Sequence, residues 1–324
     1  MRLSADQFKL FDLEPEQEAV TLVTPPNGNG HTSAKRKKEA EPPPEPAITG
    51  TPEGQTVTEF ITEHGRMPFL QDERKPWTFR GWLMWYRQEL ERTGQFPPVW
   101  DYWFATHLAG KLLPEQPPRI EYVDDARGPG YRHLEKLIDI VRRHDGGWSP
   151  MAPLMDWLSW GLATSKEPPK ISEELNEALY REIQLHVWLQ HPSDYLGTWL
   201  AEHQHNRWGG FFPTPHSLCE IMTLTLLKHE GEDLRAKTVC DPAVGTGRML
   251  LHAGNYSLRL HGQDVNAMVL QALKINGALY CPWLIRPFPE EIFKGEGFNY
   301  TALFKFMNLM REIGKETPED GDRT

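Results

Sequence analysis

The residues best suited to chemistry lie in Lys237-Thr238-Val239-Cys240-Asp241-Pro242-Ala243-Val244-Gly245-Thr246-Gly247-Arg248-Met249-Leu250-Leu251. The order reads as a short strand, a glycine-rich turn and the start of a helix. Thr238 to Cys240 suit a buried strand, and Asp241-Pro242 end it because proline carries no ladder N–H. Gly245 and Gly247 allow positive φ and bring backbone close to a ligand with no Cβ in the way. N–H groups at the following helix start favour a polar or anionic group. A tight strand–helix turn without a ligand explains the glycines equally well. Seventeen positions after Gly247, Asp264 ends a second strand pattern, Leu258 to Val265. An α/β nucleotide fold places a carboxylate for ribose hydroxyls at about that distance, though a strand-end carboxylate can also cap a helix.

The elements that must hold these residues are mostly helical. Tyr131 to Arg143 puts Tyr131, Leu134, Leu137, Ile138 and Val141 on one face. Further helices are expected over Pro153 to Leu162, from Ser172 as N-cap to about Gln190, and from Tyr195 to about 205. Thr214-Pro215 reads as a hydroxyl cap followed by proline at the first position of another helix. Asn266 to Gly277 and Ala302 to Ile313 complete the set. Tyr280 to Ile285 reads as a third, extended piece.

Residues 57–114 are dense in aromatics, including Trp77, Trp82, Trp85, Tyr86, Trp100, Tyr102, Trp103 and Phe104, with arginines nearby. They fit either a small helical core or a base-stacking surface. Residues 24–56 are too rich in Pro, Gly and charge to order themselves, and residues 1–22 read as a frayed end or a short docking peptide. The expected divisions are 1–56, a disordered segment and linker; 57–205, mainly helical; 206–314, a Rossmann-like α/β unit; and 315–324, a flexible tail.

Composition narrows the class. A length of 324 residues suggests about two domains. The net charge of −10 argues against a uniformly basic nucleic-acid binder, but permits a local basic groove. Cys219, Cys240 and Cys281 are far apart with no CxxC pair, which argues against a zinc site or a disulfide framework and fits a reducing, cytoplasmic setting. No apolar run is long enough to span a membrane, and the N-terminus lacks a signal-peptide core.

Three blocks in order resemble the adenine-N6 DNA methyltransferases, above all the M subunit of type I restriction–modification systems. Gly210-Phe211-Phe212-Pro213-Thr214-Pro215 looks like the family's G-x-F-[FY]-T-P entry with one added proline. Asp241-Pro242-Ala243-Val244-Gly245-Thr246-Gly247 looks like its D-P-A-x-G-[ST]-G loop. Gly262-Gln263-Asp264-Val265-Asn266 looks like G-x-E-[IL]-[DN], with Asp for Glu. Asp194-Tyr195-Leu196-Gly197-Thr198-Trp199 is similar to the D-x-L-G-x-x-Y element of the helical domain, and Gly295-Glu296-Gly297 to a later turn.

The resemblance implies a truncated Rossmann-like domain that binds S-adenosylmethionine, preceded by a helical domain. Asp241, Pro242, Ala243 and the Gly245–Gly247 backbone would face the methionine end. Asp264 would take the ribose hydroxyls, Val265 would pack on adenine, and Phe211, Phe212, Thr214 and Pro215 would form the far wall. Glu296 would receive the adenine amino group or stand as an exposed turn residue. The family's N-P-P-[YF] or D-P-P-[YF] block, which holds a flipped base, does not occur in the sequence. Even a permuted order leaves only Phe96-Pro97-Pro98, which lacks the Asn or Asp. The expected function is therefore a DNA adenine-N6 methyltransferase or the cofactor-binding part of a split one, with DNA and a second polypeptide carrying the catalytic motif and target recognition as partners. The alternative is a catalytically silent S-adenosylmethionine-binding accessory protein of DNA modification or restriction. No residue is assigned a catalytic or metal-binding role.

Overall fold

A computed structural model describes residues 62–63, 75–78, 80–124, 127–145, 149–203, 211–227 and 233–295. The N-terminal segment, Glu296 and the helix expected at 302–313 lie outside the described residues.

A turn of 3-10 helix at Pro76–Thr78 leads into helices α1 (Trp82–Arg92) and α2 (Val99–Ala109). The aromatics of this region form a core. Trp82, Tyr86, Trp100, Tyr102, Trp103 and Phe104 are all buried, Trp82 meets Trp157 and Tyr180, and Trp100 meets Trp103. Their rings are spent on packing, so no base-stacking surface forms from them. Helix α2 ends at Gly110, which takes φ 66°.

Helices α3 (Pro129–Asp145) and α4 (Met151–Gly161) follow. The apolar stripe of α3 is buried as its spacing requires. The single helix expected from Ser172 to Gln190 is two, α5 (Glu173–Glu182) and α6 (Leu185–Gln190). Ser172 caps α5 as expected, its Oγ accepting the Leu175 N–H at 3.2 Å. The chain breaks because Ile183 turns extended and the Gln184 N–H goes to His133 Nε2 at 3.0 Å instead of continuing the ladder. Helix α7 (Tyr195–His203) and, after the Phe-Phe-Pro-Thr-Pro stretch, α8 (His216–Leu227) complete the helical part.

The α/β unit is small. A 3-10 turn at Leu234–Ala236 enters β1 (Thr238–Asp241); α9 (Arg248–Ala253) crosses to β2 (Arg259–Gly262), which pairs parallel to β1 with Val239 opposite Leu260 and Asp241 opposite Gly262. Asn266 caps α10 (Ala267–Tyr280), its Oδ1 accepting the Met268 N–H at 3.0 Å. The piece expected to be extended at Tyr280 to Ile285 is instead the end of α10 followed by a short helix, α11 (Pro282–Ile285). Pro282 sits at its start, where a missing N–H costs nothing, and Trp283 and Leu284 are buried. Helix α12 (Glu290–Lys294) follows. Among the described residues the sheet has two strands.

One continuous core joins helical and α/β parts. The C-terminal carbonyls of α10, which lack intrahelical partners, are taken by the helical layer. Trp100 Nε1 donates to Ala278 O at 2.8 Å and Arg87 Nε to Leu279 O at 3.0 Å. Arg87 also pairs with Glu91 at 2.8 Å in the interior. Glu91 accepts the Trp100 and Asp101 N–H groups and so caps α2.

Among the described residues the sheet is well covered on one face. Leu260 and Gly262 are buried and Val239 and Asp241 half-buried, on the side of α9. On the other face Thr238, Cys240 and His261 are exposed. Arg259 on that face pairs with Glu290 at 2.6 Å and lies over the Phe293 ring. Helix α8 has the same asymmetry: His216, Cys219 and Thr223 point inward, while Leu218, Ile221, Met222 and Leu226 are exposed. Among the described residues no helix is long and apolar enough to cross a membrane.

Candidate functional site

The glycine-rich turn closes on itself through local hydrogen bonds. At the end of β1, Asp241 Oδ1 accepts the Ala243 N–H at 3.0 Å, an Asx-type turn. Val244 N–H donates to Gln263 O at 2.9 Å and Gln263 N–H to Asp241 O at 3.1 Å, so the two strand ends stay joined beyond the ladder. Gly245 (φ 54°) and Gly247 (φ 94°) both hold left-handed backbone, and Gly247 caps α9. A Cβ on Gly245 would stand 2.8 Å from Phe211 Cε2, so that ring packs directly on the turn.

Asp264 ties the two strand ends together. Its Oδ2 accepts the Gly245 N–H at 2.9 Å and its Oδ1 the Asn266 N–H at 2.9 Å. The capping of α10 falls to Asn266, which leaves Asp264 half-buried at the mouth of the turn. Each of its oxygens keeps capacity for one further hydrogen bond. Next to it Val265 is 84% exposed, and next to Phe211, Phe212 is 79% exposed. Large apolar side chains that uncovered, adjoining a turn that is otherwise satisfied, are the informative kind. Pro242, Ala243 and Pro215 are also exposed.

Thr214 enters the site through its backbone. Its carbonyl accepts from Arg248 Nη1 at 3.2 Å, and the first N–H groups of α8, on His216 and Ser217, are taken by Asp124 at 2.7 and 2.9 Å rather than by the Thr214 hydroxyl. Burial opposes the Asp124 charge, but these two N–H groups outweigh it and hold the carboxyl below its ordinary range.

Behind the turn lies a buried polar cluster centred on Asp194, at the start of α7. The Thr246 hydroxyl donates to Asp194 Oδ2, as does Arg248 Nε at 2.9 Å; Asn276 Nδ2 and the Gly197 N–H donate to Oδ1, both at 2.8 Å. Burial alone would raise this carboxyl; the Arg248 guanidinium, then Thr246, Asn276 and Gly197, hold it down and charged. The Asp194 N–H donates to His216 Nε2 at 3.1 Å, and His216 Nδ1 faces His252 Nε2 at 3.1 Å. Tyr122 stacks on His216 at 5.4 Å. Burial, with Arg248 nearby, pushes both imidazoles down to about 4, so they stay neutral at pH 7. Among the described residues no three His, Cys, Asp or Glu side chains group to hold a metal ion.

Of the residues singled out from the sequence, the structure brings together Phe211, Thr214, Asp241, Gly245, Gly247 and Asp264, places Phe212, Pro215, Pro242, Ala243 and Val265 at the exposed margin, and does not describe Glu296. Asp194, Arg248, Asn276, His216 and His252 carry no role legible in the sequence alone. Asp194 has a signal of place, not of role, in the Asp-x-Leu-Gly spacing. Asn276 and His252 had none, because a polar residue inside a helix announces no partner. Comparisons with protein-family models, curated proteins and solved structures returned no match.

Proposed function

We propose that this chain is the S-adenosylmethionine-binding part of a DNA adenine-N6 methyltransferase whose catalytic block is carried by a second polypeptide. The observation that carries the reading is the joining of the two strand ends, Gly245 N–H to the Asp264 carboxylate at 2.9 Å, beside an uncovered Val265. Ligands of open parallel sheets bind outside the carboxyl ends of the strands. That is where the turn and Asp264 lie.

The residues fit the cofactor. The spare acceptor sites of Asp264 suit two ribose hydroxyls, Val265 and Phe212 offer apolar surface for adenine, and the Asp241 turn suits the methionine amino group. The cofactor supplies an electrophilic methyl group. This chain's contribution is to bind and orient: a carboxylate for the ribose, a ring wall from Phe211 and a backbone without Cβ atoms at Gly245 and Gly247.

The second polypeptide is supported by the bare face of the sheet. Parallel strands are found almost always with both faces covered, yet Thr238, Cys240 and His261 face solvent, and α8 adds exposed Leu218, Ile221, Met222 and Leu226. The 324 residues contain no Asn/Asp-Pro-Pro-aromatic block.

Titration calorimetry tests the reading directly. S-adenosylmethionine is expected to bind saturably, and Asp264→Ala to weaken it by at least about tenfold, the loss of one or two charge-assisted hydrogen bonds. No binding by the wild-type chain would overturn the cofactor site. With tritiated cofactor and DNA, the chain alone is expected to transfer no methyl groups; transfer to adenine by the chain alone would overturn the split arrangement.

A further inference from the structure

We propose that Asp194 is a positioning residue through which the helical layer holds the Thr246–Arg248 end of the glycine-rich turn in its ligand-binding shape; the proposal rests on the reading of that turn as a cofactor site.

A carboxylate offers about four lone-pair directions. At Asp194 all four have donors: Gly197 N–H and Asn276 Nδ2 on Oδ1, Thr246 Oγ1 and Arg248 Nε on Oδ2. The group is completely buried. It has no capacity left for a ligand, so any effect on the site passes through the residues it holds.

Those residues are concentrated in one place. Thr246 and Arg248 flank Gly247, the left-handed residue that starts α9. Asn276 Nδ2 also donates to Thr246 O at 3.0 Å, so the peptide on the other side of Thr246 is fixed by the same cluster. Arg248 Nη2 reaches back to Thr198 Oγ1 at 2.7 Å and to Asp194 O at 3.3 Å. A Cβ at Gly197 would overlap the Asp194 carboxylate and the Thr246 hydroxyl, which explains a glycine in the first turn of α7. Three consecutive turn residues are thereby fixed from α7 and α10, not from the strand they follow.

Stability alone does not account for the arrangement. A buried ion pair is often no better than apolar packing of the same volume. What a saturated network contributes is a single geometry, and here that geometry is the turn that presents the Gly245 N–H to Asp264.

Amide hydrogen exchange and cofactor titration on the full chain test this. Asp194→Asn keeps the shape but sets an NH2 group against donors. Exchange of the amides at 243–248 is expected to speed up by at least about tenfold, and S-adenosylmethionine affinity to fall by at least about tenfold. Val141→Ala, a core truncation in α3 remote from the turn, is the comparison: it is expected to lower overall stability and to change neither readout. If Asp194→Asn and Val141→Ala move both readouts alike, or Asp194→Asn moves neither, the proposal is overturned. If Asp194→Asn does not fold, Thr198→Val removes only one Arg248 partner and is expected to raise exchange at the same amides more modestly; no change there overturns the proposal. If the wild-type chain takes up no S-adenosylmethionine, the cofactor reading falls, and the exchange comparison still decides whether Asp194 shapes the turn.

Discussion

The two faces of the sheet are made from the same eight residues and meet different surroundings. On one face Val239 and Leu260 lie toward α9, and Leu260 and Gly262 are buried. On the other, Thr238, Cys240 and His261 look into solvent. A strand's side chains alternate faces, so the same four-residue runs supply both sides. The difference lies in what is packed against them. The covered face belongs to a core that continues into the tryptophan-rich helices; the bare face and the exposed side of α8 belong to no core among the described residues. The surface that organises the fold and the surface left bare among the described residues are thus separated by one layer of backbone.

The largest expected effect is on the covered side. Trp100→Ala empties a fully buried ring site and leaves Ala278 O without its donor, and should cost about 3–5 kcal/mol in denaturant unfolding. A loss below about 1 kcal/mol would mean that helices and sheet do not share a core.

Acid should weaken the same side next. His216 and His252 remain neutral down to about pH 4, whereas an exposed imidazole protonates near pH 6.5. The unfolded chain therefore takes up protons first. Their contribution to stability is present above about pH 6.5 and is lost as pH falls toward about 4, by up to about 3 kcal/mol for each imidazole. Melting curves from pH 8 to pH 4 check this, and His252→Asn should flatten the slope.

Gly262→Ala sharpens the comparison within a single strand. Its Cβ would meet Val244 Cγ2 at 2.8 Å and Leu250 Cδ1 at 3.0 Å, so a destabilisation of about 1–3 kcal/mol is expected. His261→Ala, one residue earlier on the bare face, should change stability by no more than about 0.5 kcal/mol. Equal effects would erase the distinction between the faces.

The smallest effects should be on α8 and on thiol chemistry. Leu226→Ala, at a side chain 65% exposed, should shift unfolding by no more than about 0.5 kcal/mol. Cys240 is exposed, while burial raises the thiols of Cys219, up to about 11, and Cys281. One thiol in three should therefore react promptly with a thiol-specific reagent in the folded chain. Rapid reaction of all three would show that the covered side is open.

Much of the local structure was legible in the order of residues. The α3 stripe, the Ser172 cap, the start of α9 at Arg248 and the strand end at Asp241 follow from periodicity, capping and the positive φ that glycine permits; the second strand stops at Gly262, two residues before Asp264. The reading failed where a distant group intervened. His133 accepts the Gln184 N–H and splits one expected helix into α5 and α6. Pro282, with Trp283 and Leu284 drawn into the core, makes a helix of the piece that looked extended. Asp124, 92 residues away, takes the capping role expected of Thr214.

The sequence by itself determined the glycine-rich turn, because a run that needs left-handed backbone at two positions carries that need in its own residues. It also placed Asp264 just beyond the second strand, since strand length sets where the chain emerges. Only the tertiary structure decided what Asp264 and Asp194 hold. A carboxylate's partners are set by which donors the fold brings within about 3 Å, and Gly245, Thr246, Arg248 and Asn276 come to these two from positions 19 to 82 residues away. It also decided which aromatic rings became core and which face of the sheet was left bare, because burial is a property of what packs against a surface and not of the residues that make it.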